Sequence, residues 1–336
     1  MISMKDIAKE CGVSIATVSK ALNDHSDIGE ATKKLVRDTA KRLGYLPNSS
    51  ARALKTNRTY NLGVLFVDDD SSGLCHDYFS HVLESFKVTA EDKGYDITFL
   101  GRKSANSYMT YYEHSLYRGL DGVVIAAVDF RNDEVIELIE GRLPVVTIDY
   151  KFSNRTAIMS DNALGMRQLV SYIHSLGHSR IAYICGNDTA VTKVRLQSFI
   201  DTMNEYGLEI PEGYIRHGVY RDAEITSRLT AELLSFKEKP TCIIYPDDLS
   251  AFGGINMIKS FGLSIPDDIS VAGYDGLNIA KIVEPKLTTI EQDSFSLGRE
   301  AAIRLINQIE EPEGFKVEKV IIEGKLLTGN SVKRIY

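Results

Sequence analysis

The chain has 336 residues, with 39 Lys plus Arg against 46 Asp plus Glu, a net charge of −7, and 43% hydrophobic residues. That length exceeds one typical domain and leaves enough chain to bury a large core. No apolar run is long enough to cross a bilayer, no signal peptide is recognisable, and Cys11, Cys75, Cys185 and Cys242 form no CxxC pair. The composition therefore argues against a membrane protein, a disulfide scaffold or a metal site, and for a cytoplasmic chain with reduced thiols. The charge is also uneven: residues 1–58 carry 11 basic and 6 acidic side chains, net +5, and the remainder is net −12. A basic head on an acidic body is what a nucleic-acid reader with a soluble second function presents.

The head opens on MKDIAKECGVSIATVSKALN, residues 4–23. Met4, Ile7, Ala8 and Cys11 follow the i, i+3, i+4, i+7 spacing of one helical face. Gly12 suits the positive φ of a tight turn, and Ser14 is a good N-cap for a second helix over Ile15–Leu22. On that helix Val18 and Leu22 point inward, leaving Ile15, Ala16, Thr17, Ser19 and Lys20 outward. A third helix, from GEATKKLVRDTAKRLG, offers Ala31, Leu35, Val36 and Leu43 and ends at Gly44. Three such helices close a small core with the second facing out, the layout of a helix-turn-helix DNA reader. A small helical protein-docking module is the alternative.

From Leu62 onward, short apolar runs such as LGVLFV, DGVVIAA, PVVTID, RIAYICG and PTCIIYP alternate with amphipathic stretches. Continuous apolar strands of this kind belong to parallel sheets covered on both faces. Two βα lobes in tandem are the simplest account, with a ligand cleft at the carboxyl ends of their strands. Those ends carry Asp149 in TIDY, Asp247 and Asp248 in YPDD, and Asp275 in GYD. A carboxylate there can accept two hydrogen bonds from vicinal hydroxyls or an amino group, or it can cap the following helix. For Asp248 the two readings stand level; for Asp275 the ligand reading is the better.

With these segments in place, DIAKECGVSIATVSKALN, RLGYLPNSSARALKTNRTYNLGVLF, DNALGM, PDDISVAGYD and LTTIEQD make the whole chain resemble the LacI/GalR family of bacterial transcriptional regulators. The resemblance implies a head and hinge over residues 1–57, the hinge at about 47–57, and an effector-binding body over 61–336. That body would be two periplasmic-binding-protein-like lobes, about 61–160 plus 292–323 and about 161–291 plus 324–336, with three crossings between them. It also implies a homodimer on double-stranded operator DNA. Ile15, Ala16 and Lys20 would read bases, Thr17 and Ser19 would face phosphates, and Ser14 and Asn23 would flank them. Leu54 would wedge into the minor groove between Arg52 and Lys55. In the cleft it assigns Tyr78, Phe79, Arg195, Tyr220 and Asp275 to an effector. Ser198 stands where the arginine motif usually has Gly, Gly329 where Arg is common, and Lys20 where Arg is commoner, which replaces a bidentate fork by a point charge.

The hinge makes sense on its own terms. Pro47 breaks the preceding helix, and NSSARALK forms only about two turns, well short of the roughly 12–15 residues at which an isolated helix becomes marginal. Leu54, flanked by Arg52 and Lys55, gains from ordering only when an apolar partner and an anionic surface arrive together, as in a DNA minor groove.

The sequence thus reads as a DNA-binding regulator, a repressor switched by a small effector, without a cofactor. Three aspartates with flanking aromatics suit a sugar; a purine-like ring between Phe79 and Tyr220 is the alternative. An enzyme acting on a sugar or nucleotide is disfavoured, since there is no phosphate loop, no G-x-G-x-x-G after a strand and no nucleophile elbow.

Overall fold

The computed structural model describes residues 2–46, 58–67, 73–75, 77–104 and 107–335. The expected hinge, with Arg52, Leu54 and Lys55, lies outside the described residues. Two compact units meet at the Tyr60–Asn61 bond.

In the first unit α1 (Met4–Cys11) ends where Gly12 turns left-handed at φ 66°. Its start is fixed by Asp6, whose carboxylate accepts from the Ser3 amide at 2.8 Å and hydroxyl at 2.7 Å. Helix α2 (Ile15–Leu22) begins at Ser14, whose Oγ accepts from Thr17 N at 3.0 Å. Helix α3 (Glu30–Leu43) ends at Gly44, φ 69°. Ile7, Ala8, Val18, Ala21, Val36 and Ala40 form the core, with Met4, Cys11, Leu22 and Leu43 at its edge.

One expectation fails here. Ala31 and Leu35 are exposed, and α3 instead buries Lys33, Val36, Thr39 and Ala40. Ala31 and Leu35 form an i, i+4 stripe of their own, roughly one residue's rotation (about 100°) from the Val36–Ala40 line, so both stripes cannot face one small core. Lys33 occupies the space with its aliphatic stem, while its ammonium reaches Glu30 at 2.9 Å and Asp24 at 3.0 Å.

The second unit is α/β. Its chain order is β1 (Asn61–Phe66), α4 (Asp77–Asp92), β2 (Asp96–Phe99), a hairpin of β3 (Lys103–Ser104) and β4 (Ser107–Tyr108), α5 (Tyr111–Tyr117), β5 (Gly122–Ala126), α6 (Asp133–Glu140), β6 (Val145–Ile148) and β7 (Thr156–Ser160). There follow α7 (Asn162–Ser175), β8 (Ile181–Cys185), α8 (Ala190–Glu205), β9 (Ile215–His217), α9 (Ala223–Leu234), β10 (Cys242–Ile244), α10 (Asp248–Ser260), β11 (Ser270–Ala272) and α11 (Asn278–Ile282). The chain closes with β12 (Thr289–Glu291), α12 (Ser294–Glu310), β13 (Lys319–Ile322) and β14 (Lys325–Leu327).

One sheet has the order β13-β7-β6-β5-β1-β2 and the other β11-β10-β8-β9, with every pair parallel. Strands β5, β6 and β8 are buried at every residue, which is why their sequences run apolar without alternation. The chain leaves the first sheet after β7, returns to it by way of α12 and β13, and leaves again at β14, which pairs antiparallel with β12. Strand β7 and helix α12 are not evident in the βα alternation of the sequence. Helix α12 packs on α4 so closely that a Cβ on Gly298 would lie 2.1 Å from the Val82 carbonyl oxygen.

Candidate functional site

The head presents α2 as an exposed polar face. Ile15 is 44% exposed, Ala16 and Lys20 are exposed, and Thr17 and Ser19 are half-buried. Ser14 Oγ and Thr17 Oγ1 lie 2.9 Å apart, and Asn23 Nδ2 donates to Ser19 O at 2.7 Å, so both ends of the helix are fastened. Lys20 pairs with Asp27. All seven head residues expected to meet DNA therefore lie on or beside one short helix.

The second site is a cavity of about 240 Å³ at the carboxyl ends of the strands of both sheets. That is room for a small metabolite. Tyr78, Phe79, Asp149, Arg195, Tyr220, Asp247 and Asp275 all line it, although they span nearly 200 residues of sequence. Four of its residues hold positive φ without being glycine: Ala127 at 51°, Asp149 at 58°, Arg221 at 58° and Asp275 at 104°. Each such conformation costs on the order of 1–3 kcal/mol and persists where the surrounding fold over-determines it, as at ligand sites.

Arg195, on α8, is 3% exposed. Its Nε donates to Asn162 Oδ1 at 2.7 Å, its Nη1 donates to Pro246 O at 3.0 Å, and its guanidinium lies 3.5 Å from the centre of the Tyr274 ring. Asp275 lies 3.9 Å from Nη2 and accepts from Gln292 Nε2 at 2.7 Å. Burial pushes the Asp275 carboxyl up to about 6, with Arg195 pulling against it. Asp149 is likewise raised by burial; its Oδ1 accepts from Ser160 N at 2.9 Å, and Tyr78 Oη donates to its Oδ2 at 3.4 Å. Tyr220 stands against Gly186, where a Cβ would come 2.2 Å from the ring, and its hydroxyl pairs with Thr192 at 2.8 Å.

The two adjacent aspartates of YPDD part company. Asp247 lines the cavity but is also the N-cap of α10: Ser250 N donates to Oδ1 at 2.8 Å, and Oδ2 accepts from Ser250 Oγ at 2.7 Å and Arg221 N at 2.8 Å. Asp248 is not in the cavity wall. It is fully buried and accepts from Leu277 N at 2.7 Å and Thr289 Oγ1 at 2.6 Å, tying α10 to the segments beside β11 and β12. Asp248 is thus neither of the two things expected of it: the cap of α10 is Asp247, and Asp248, the first residue of the helix, is a buried tie between segments.

The sequence reading missed Phe130 and Tyr150, stacked with ring centres 4.4 Å apart, and Asn187, Arg221 and Gln292 in the same wall. Tyr150 and Gln292 sit beside singled-out residues, in TIDY and in LTTIEQD. Arg221 likewise follows Tyr220, while Phe130 lies in a loop whose sequence carries no sign of where it returns.

Residues 3–48 match the model of the bacterial regulatory proteins, lacI family. Across the chain, the HTH-type transcriptional repressor PurR of Klebsiella pneumoniae (strain 342) is 30% identical over 336 residues, covering 96% of each protein. The chain belongs to the lacI family. Residues 170–332 match a periplasmic binding protein-like domain, in agreement with the second parallel sheet. Among solved structures, the lac repressor dimer bound to operator and the anti-inducer ONPF shares the fold at a TM-score of 0.84, 23% identity and 99% coverage of both chains. A LacI family regulator from Enterococcus faecium with bound ribose aligns at 0.69 and 26% identity, covering 82% of this chain and all of that one. This lacI-family chain is thus a transcriptional regulator, and among its described residues no helix is long and apolar enough to cross a membrane.

Proposed function

We propose that this regulator is a repressor that reads a two-fold operator through the exposed face of α2, as a dimer, and is switched by a small neutral polyol, a sugar or a ribosyl compound, held in the body's cavity. The observation that carries the effector reading is the pairing of Arg195 with Asp275 at 3.9 Å in the wall of a cavity that Asp149, Tyr78, Phe79 and Tyr220 also line. A guanidinium can donate to a hydroxyl or ring oxygen while a carboxylate accepts from the neighbouring hydroxyl, and aromatic rings cover the apolar face of a sugar. Three carboxylates against two arginines make the wall unfavourable for an anion. The ribose bound by the Enterococcus faecium relative supports the same class. The basic head and exposed Lys20 support the operator reading.

The test is a thermal-shift screen of monosaccharides, disaccharides and nucleobases, followed by operator affinity with and without each stabilising compound. A bound ligand at 100 times its Kd raises stability by about 2.7 kcal/mol. Stabilisation by a sugar that also changes operator affinity is the expected result. Stabilisation by nucleobases alone selects the purine-like alternative, with a ring between Phe79 and Tyr220.

A further inference from the structure

The segment that carries the chain out of the first sheet runs from Ser160, the last residue of β7, through Asp161 to Asn162, the first residue of α7. It is fastened at both ends by groups of the cavity wall. Ser160 N donates to Asp149 Oδ1 at 2.9 Å, and Asn162 Oδ1 accepts from Arg195 Nε at 2.7 Å. Between these two bonds Asp161 N donates to Ile322 O at 2.8 Å, which joins this crossing to the later one that follows β13. Asn162 Nδ2 donates back to Ser160 O at 3.3 Å.

Asn162 is 3% exposed, as is Arg195, so neither group has water as an alternative partner. The rest of the setting holds Arg195 in register with this one amide oxygen. Its guanidinium lies on Tyr274, and Tyr274 sits where it does because residue 165 is glycine: a Cβ there would come 2.2 Å from the Tyr274 hydroxyl. Ser198 Oγ donates to Ala163 O at 2.6 Å and pins the same first turn of α7 to α8.

We infer that Asn162 is a positioning residue for Arg195, and that the Asp149–Ser160 and Arg195–Asn162 bonds make the crossing segment a clamp through which the cavity wall sets the relation of the two lobes. An occupant that recruits Arg195 or Asp149 competes with, or reinforces, the bonds that hold the crossing. Contact with the cavity is thereby converted into strain or relief at the chain's own connection between sheets. Two ligand-facing groups of opposite charge acting on residues two apart in sequence provide the differential contact that a ligand-driven shift requires. The coupling to an effector rests on the functional reading above; the clamp does not.

The test uses the full chain and hydrogen exchange of residues 159–165, with the α9 amides as a control for the fold. Asn162→Ala and Arg195→Lys, which keeps the charge but loses the planar fork, should each speed exchange of the crossing by roughly tenfold, and the double variant should add nothing further. Asn162→Asp, which keeps the acceptor for Arg195 but loses the Nδ2 donor to Ser160 O, should be better protected than Asn162→Ala. Gly165→Ala, which displaces Tyr274 instead, should reproduce the Arg195→Lys effect. Multiplicative effects in the double variant, or an Asn162→Ala crossing as protected as wild type, overturn the clamp. D-Ribose is the probe for the other layer: it should protect residues 187–195 and the crossing in wild type, but only residues 187–195 in Asn162→Ala. Protection of the crossing in both proteins overturns the coupling. No D-ribose effect on wild type, with the double variant still non-additive, overturns the ribose reading and leaves the clamp standing.

Discussion

The head and the cavity use the same kinds of side chain in opposite ways. On α2 the residues proposed to meet DNA are exposed or half-buried, come from one ten-residue stretch, and are held by short-range bonds such as Ser14–Thr17 and Asn23–Ser19. In the cavity the charged groups are buried, come from segments far apart, and are held by neighbours that differ by up to 80 positions in sequence, as with Asn162–Arg195 at 33, Tyr78–Asp149 at 71 and Arg195–Asp275 at 80. A phosphate surface is met by mobile, solvated charge, which needs little scaffold. A small neutral ligand must be met by desolvated groups already in place, which needs a whole fold. The strained backbone follows this division, since four of the six non-glycine residues with positive φ among the described residues line the cavity.

The largest break in the comparison should come from the head's small core. Ile7 is fully buried among few neighbours, so Ile7→Ala should cost about 2–5 kcal/mol and unfold the head. Specific DNA binding is then lost, while calorimetry should still show the body's own unfolding transition and ligand binding. Loss of both functions together would mean that the two units do not fold separately.

Arg195→Ala should be the severest single change in the cavity. It leaves Asn162 Oδ1 and Pro246 O without that buried donor and Asp275 without its cationic neighbour, and should cost about 3 kcal/mol in urea unfolding of the body. Effector-induced change in operator affinity should disappear with it.

Asp275 gives the cavity a pH signature opposite in sign to that of the head, where hydrogen bonds from Lys33 and Lys20 lower the Asp24 and Asp27 carboxyls. The Asp275 carboxyl titrates at about 6 in the fold against an ordinary value of 3.8, so the folded state binds the proton more tightly. Stability contributed by this group therefore falls as pH rises from about 4 to about 6 and is level above, a loss of about 3 kcal/mol at most. Asp275→Asn should make the decline shallower without abolishing it, because burial also raises the Asp149, Asp247 and Asp248 carboxyls, and melting curves between pH 4 and 8 would show it; an unchanged decline would remove Asp275 from the titrating groups.

Lys20→Ala sharpens the head's side of the comparison. It should lower discrimination at one base pair in each half-site by about 1–3 kcal/mol. If Lys20 instead meets a phosphate, binding should weaken evenly across sequences and the log–log salt slope should become shallower by about 0.9. Fluorescence anisotropy on operator variants at several salt concentrations separates the two. The smallest effect is expected from Gly12→Ala, which forces an L side chain to φ 66° but has open space around its Cβ. It should cost about 1 kcal/mol in the head and nothing in ligand binding.

These differences also explain which parts could be read from the residues alone. The limits of α2, the turn at Gly12, the cap at Ser14 and the end of α3 at Gly44 depend on spacing and local backbone preference, and the structure has them where the sequence puts them. The parallel sheets were legible because fully buried strands run apolar. Which face of α3 is buried was not, because Ala31–Leu35 and Val36–Ala40 are both acceptable stripes until a neighbour selects one. Nor could YPDD be resolved: both aspartates begin α10, and only the approach of Leu277 and Thr289 turns Asp248 inward while Asp247 stays at the wall. The sequence by itself determined most of the elements, the parallel character of the sheets and the chemical types at the strand ends, because each of these follows from neighbours within about one helical turn or one strand. The tertiary structure alone decided that Arg195 meets Asn162 and Asp275, that Phe130 stacks on Tyr150, and that one segment ties Asp149 to Arg195, because burial removes water as a competing partner only after distant segments have packed.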